Sequence, residues 1–127
     1  MLTKTARPKN LNLLKIRQPV TAVVSIIHRI SGVILFLTLP VMIYWFAESL
    51  RSAEDFAEAQ AFFSSNWMLL AGALLAWALI HHFFAGLRFL LLDIDVGLEL
   101  KTARATAWLV FACVAIVFVA YMFGVVI

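Results

Sequence analysis

Charge is scarce in this chain. Of its 127 residues only 13% are Asp, Glu, Lys or Arg, while 65% are hydrophobic; a soluble domain carries roughly a quarter charged residues. The mean hydropathy is +1.01. That balance excludes a water-soluble globule and points to an integral membrane protein with a single small membrane domain, 1–127. Cysteine is nearly missing: Cys113 stands alone in an apolar stretch, so no disulfide framework forms and the redox compartment is undetermined. No His/Cys set has zinc-like spacing, no glycine-rich loop is built to cradle phosphate, and no nucleophile–base pair is present. Basic residues are sparse and border the apolar segments, which argues against nucleic acid as a partner. Positions 1–19 lack any acid and hold Lys4, Arg7, Lys9, Lys15 and Arg17. They also lack a short apolar core, so no cleavable signal peptide is expected and the first membrane helix is expected to serve as the insertion signal. With no evident Arg/Ser-rich presequence, a bacterial inner membrane is the simpler setting.

What is there is helical. Three segments, about 20–47, 67–92 and 105–127, are long enough to cross a bilayer, since about 20 apolar helical residues span ~30 Å of hydrocarbon. The expected fold class is all-α integral membrane, three transmembrane helices forming part of a multi-subunit bundle, because three short helices bury little alone. The arm 1–19, punctuated by Pro8 and Pro19, reads as extended or briefly helical at the surface. Anionic headgroups would hold it at ~1 kcal/mol per basic residue; docking on a soluble partner is the other reading. In the first segment the uninterrupted apolar part, 33–47, is too short to span alone, so Ser25, His28, Arg29 and Ser31 are drawn into the membrane or its interface. Ser25, His28 and Arg29 fall on neighbouring parts of one flank, and Gly32 continues it with room for something bulky. Pro40 is expected to bend the outer half. The loop 48–66 is expected to hold a short amphipathic helix around 53–63, and 93–104 is expected to form a second loop of mixed charge. The third segment, starting at 105, holds no charged residue and reads as packing surface.

Lysine and arginine counts set the orientation. The arm has five and the second loop two, Lys101 and Arg104, against Arg51 alone in the first loop. The amino terminus is thus expected in the cytoplasm and the carboxyl terminus in the periplasm. Tyr44, Trp45, Trp67 and Tyr121 then mark the outer interface and Trp108 the inner, with Trp77 packed inside the bundle. No internal repeat suggests a transporter.

The stretch 81–93 carries the chemistry: His81, His82, Gly86, Arg88 and Asp93 in an otherwise apolar run. At 1.5 Å per residue, His82 lies roughly 15 Å deep and His28 and Arg29 roughly 12 Å, in one cytoplasmic-side zone with the shallower Arg88. Ionisable groups at that depth persist where they have a partner. One reading is a membrane b-type haem, with imidazole on the iron and cations against the propionates. The other is histidines hydrogen-bonded for packing, and a haem-free structural anchor. Gly86 is one turn from His82 and would let a flat macrocycle approach, but His81 has Ala85 in the equivalent place, so spacing does not choose between them. A haem held within the chain by His28 and His82 is conceivable at these depths. Asp93 and Asp95 read as solvated loop acids, Asp93 within reach of Arg88.

Ser25-Ile26-Ile27-His28-Arg29-Ile30-Ser31-Gly32 resembles the first signature of the cytochrome b556 membrane-anchor subunits of succinate dehydrogenase. His82, Gly86, Arg88 and Asp93, in the order H-x-x-x-G-x-R-x-x-x-x-D, resemble the second, and Arg7-Pro8 is similar to the family's amino-terminal Arg-Pro. The resemblance covers almost the whole chain. It implies a subunit of succinate:quinone oxidoreductase, inactive alone, working with a flavoprotein subunit, an iron–sulfur subunit and a second small membrane-anchor subunit. It further implies haem b with His82 as one axial ligand and the second anchor supplying the other, and ubiquinone bound by Ser25 and Arg29. His28, Arg29 and Arg88 would stand near the haem propionates, with Gly86 beside the ring. Two positions depart from the pattern. Phe89 stands where many members have a second histidine, and Lys9 follows Arg7-Pro8 where an apolar residue is usual.

Overall fold

The computed structural model describes residues 16–126; Arg7-Pro8 and most of the expected basic arm lie outside the described residues. The order is α1 (Val20–Ser49), α2 (Ala53–Phe63), α3 (Asn66–Asp93) and α4 (Leu100–Val126), an all-α chain among the described residues. Three of these helices are long and apolar enough to cross a membrane. With 30, 28 and 27 residues, α1, α3 and α4 run about 45, 42 and 40 Å. Each exceeds ~30 Å of hydrocarbon, so end turns with polar side chains reach beyond it. The protein is an all-α, multi-pass integral membrane protein.

Helix boundaries follow local chemistry. Pro19 sets up α1: extended at φ −65 and ψ 152, it offers its carbonyl to the Ala22 and Val23 amides at 2.9 and 3.2 Å. The short helix expected around 53–63 is α2, capped by Ser52, whose Oγ accepts from the Asp55 amide at 3.0 Å. Glu54 and Asp55 in its first turn suit the positive end of the helix dipole. The Trp45 and Phe62 rings stack at 4.3 Å and fold α2 back onto α1. Arg51 pairs with Glu48 at 2.8 Å, the one ion pair among the described residues.

At its other end, α3 stops through Asp95. This residue takes a left-handed φ of 62, which short polar side chains tolerate. The Asp95 amide then donates to Leu92 O at 3.1 Å and the Val96 amide to Leu91 O at 3.0 Å, the paired bonds of a Schellman ending. Asp95 is therefore a helix stop as well as a solvated acid. The following loop is only 94–99, and α4 begins at Leu100 rather than 105. Lys101 and Arg104 sit on its exposed face, so their charge does not halt the helix, contrary to the expectation of an uncharged third span.

Helix α3 packs on both α1 and α4. Its buried residues are Ala78, His81, Ala85 and Arg88, spaced 3, 4 and 3 so that they form one stripe. Ala85 joins Val24, Ala107, Val110 and Val114 in the core cluster. Small residues dominate because helices in lipid gain from close approach rather than from apolar burial. Much of the remaining apolar surface is outward, including Phe36, Leu70 and Ile116.

Candidate functional site

A second stripe on α3, rotated about 100° from the first, comprises His82, Gly86 and Phe89 and faces α1. There the His28 and His82 rings stack with centroids 4.1 Å apart and planes 10° apart, and Phe89 lies 5.1 Å from His28. Two glycines make the approach possible. A Cβ at Gly32 would come 3.0 Å from His82 Cε1, and one at Gly86 would come 3.4 Å from His28 Nε2. Each helix thus offers a glycine to the other's imidazole. The bulky group that Gly32 admits is the His82 ring, and the room over Gly86 holds the His28 ring rather than a macrocycle.

The His82 ring is tethered. Its Nδ1 lies 3.2 Å from His28 O and 3.3 Å from Ser31 Oγ. A carbonyl only accepts, so Nδ1 carries the proton and donates. The Ser31 hydroxyl donates to the same carbonyl at 2.9 Å, which leaves its lone pairs for Nδ1–H. In a neutral imidazole that tautomer leaves Nε2 with an unprotonated, in-plane lone pair. No described residue hydrogen-bonds it. Stacked faces also mean that the His28 and His82 lone pairs do not oppose one another across a single iron, so the pair does not bracket a haem within the chain.

Ser25 and Arg29 are brought together on the outward side of α1, the guanidinium Nη2 donating to Ser25 Oγ at 3.2 Å. Arg29 is exposed and Ser25 half-buried. His28, expected on the same flank, is turned toward α3. The flank is therefore split: a hydroxyl–guanidinium pair opens outward while the imidazole lies in the seam.

Arg88 is on the same helix as His82 but not on the same face. It is 6% exposed and turned to α4, where Nε donates to Thr106 Oγ1 and Nη2 to Ala103 O, both at 3.1 Å. The pairing with Asp93 is not formed. His81 lies on the same stripe, fully buried, between Trp77 and Phe111 with ring centroids 5.8 and 5.9 Å away. Neither of its ring nitrogens has a hydrogen-bond partner. Trp77 is packed in the bundle as expected. The adjacent histidines thus face different helices, His81 toward α4 and His82 toward α1, a distinction that spacing left open. Ser31, expected in the membrane or its interface with Ser25, His28 and Arg29, was given no partner by the sequence; its position three residues after His28, beside Gly32, was the available signal.

What fold and seam define is a multi-pass helical membrane subunit with its polar groups gathered toward one end of the bundle. Its kinship is specific. Residues 3–121 match the family described as succinate dehydrogenase/fumarate reductase transmembrane subunit, and the chain belongs to that family. The succinate dehydrogenase cytochrome b556 subunit of Coxiella burnetii is 39% identical over 106 residues, covering 83% of this chain and 85% of the relative. The subunit of the same name from Paracoccus denitrificans is 33% identical over 103 residues, 80% and 78% of the two chains. That of Rickettsia bellii is 28% identical over 116 residues, 84% and 83%.

Proposed function

We propose that this chain is the membrane anchor of a succinate:quinone oxidoreductase, that it holds one axial ligand of a haem b, and that it lines the ubiquinone site. The observation that carries the reading is the tethered His82 ring. Its Nδ1–H is committed to α1, and its Nε2 lone pair is left for iron, the usual division of labour in a ligating histidine. The donor set fits a b-type haem: an imidazole with a free Nε2, His28 stacked on it, and Arg29 at the next position of α1 as the cation for propionates that hydrocarbon would not tolerate bare. Arg88, committed to Thr106 and Ala103, lies in the propionate vicinity by depth and ties α3 to α4. Gly86 serves by admitting His28. When bound, the haem supplies one-electron storage beside the quinone.

The outward-facing Ser25 hydroxyl and Arg29 guanidinium are donors suited to a quinone carbonyl, and they stabilise negative charge as it develops there on reduction. Outward apolar faces on every spanning helix suit lipid and a second small anchor subunit, which supplies the other iron ligand. The iron–sulfur and flavoprotein subunits stand on the cytoplasmic side, where succinate is oxidised. The setting proposed is a bacterial inner membrane, and the charge distribution supports an amino terminus in the cytoplasm and a carboxyl terminus in the periplasm. A reduced-minus-oxidised spectrum of the purified complex tests the reading: b-type bands are expected, and their absence would make the chain a haem-free tether.

A further inference from the structure

From the seam we infer that Ser31 is a positioning residue for the haem ligand, acting through His82; the inference rests on the ligand assignment above. Ser31 is fully buried, so water does not compete for its hydroxyl. That hydroxyl donates to His28 O at 2.9 Å and thereby presents its lone pairs to His82 Nδ1–H at 3.3 Å. The same proton also reaches His28 O at 3.2 Å. One N–H is thus shared between two acceptors on α1, and one of those is polarised by the other's O–H. Such sharing fixes the Nδ1–H tautomer and the ring's rotation. It also draws the Nδ1 proton away from the ring, enriching Nε2 in electron density. A stronger imidazole donor favours the oxidised over the reduced iron, so Ser31 lowers the haem's reduction potential. The third side of the ring is closed by Gly32 and one face by His28, so removing the hydroxyl weakens the bond without freeing the ring.

The test is a redox titration of the assembled complex. Ser31→Ala should raise the midpoint potential of the haem. The shift expected is about threefold in the oxidised-to-reduced ratio, the worth of one weak hydrogen bond, or ~28 mV at ~59 mV per tenfold for one electron. Ser31→Thr, which keeps the hydroxyl, should restore the wild-type value, and succinate oxidation by a soluble acceptor should be unchanged in both. Haem lost from an assembled Ser31→Ala complex but kept by Ser31→Thr also supports the role. It is overturned by an unchanged potential in Ser31→Ala, by equal effects of both variants, or by Ser31→Ala failing to assemble where Ser31→Thr assembles, which would make Ser31 a packing residue. A His82→Ala complex that keeps its full b-type spectrum would overturn the ligand assignment itself, a separate result from any of these.

Discussion

Gly32 of α1 lies against the edge of the His82 ring of α3, where a Cβ would approach Cε1 to 3.0 Å and Nδ1 to 3.4 Å. The ring has nowhere to go, because His28 covers one face and Nδ1 is bonded to α1. Gly32→Ala is therefore expected to force the helices apart, at ~1–3 kcal/mol for overpacking. Gly86→Ala meets His28 Nε2 at 3.4 Å, an ordinary contact, and should cost less. Thermal midpoints and haem-to-flavin ratios of the two complexes check this; identical losses would show that the approach at Gly32 is not the limiting one.

His82→Ala removes the only imidazole that the proposal gives to iron from this chain. The b-type absorbance of the assembled complex is expected to vanish or fall severely, while flavin content stays. Absorption spectra normalised to flavin measure it.

His81→Leu is expected to do the opposite. Two unpaired ring nitrogens buried between Trp77 and Phe111 cost stability, and leaving a buried polar group unsatisfied is worth ~1–3 kcal/mol. An apolar side chain of similar bulk should raise the melting temperature of the complex and leave the haem spectrum intact. Loss of the spectrum would transfer the ligand role to His81.

Ser25→Ala and Arg29→Ala should each slow quinone reduction while sparing succinate oxidation by an artificial soluble acceptor. The guanidinium and hydroxyl face outward as a pair and support no core contact, so assembly is expected to survive. The ratio of the two activities is the measurement, and an equal fall in both would mean failed assembly instead of a damaged quinone site.

Much of the architecture was legible beforehand. Three spans follow from apolar length, and a short amphipathic helix was expected around 53–63, where α2 stands. The signatures around His28 and His82 carried the family. Other features were misread because they depend on neighbours. Lys101 and Arg104 looked like loop residues, yet they ride on the exposed face of α4, where long cationic side chains reach the polar layer. Arg88 looked within reach of Asp93, and α4 drew it away by offering Thr106 and a carbonyl.

By itself the sequence determined which segments lie in the membrane and which few polar groups go in with them, since transfer from water depends on composition along one chain. Only tertiary structure decided what each of those groups touches. Successive helical residues point about 100° apart, so His81 and His82 have nearly the same depth and chemistry until helices arrive on either side. Packing then seals one between aromatics and ties the other by its Nδ1 to α1.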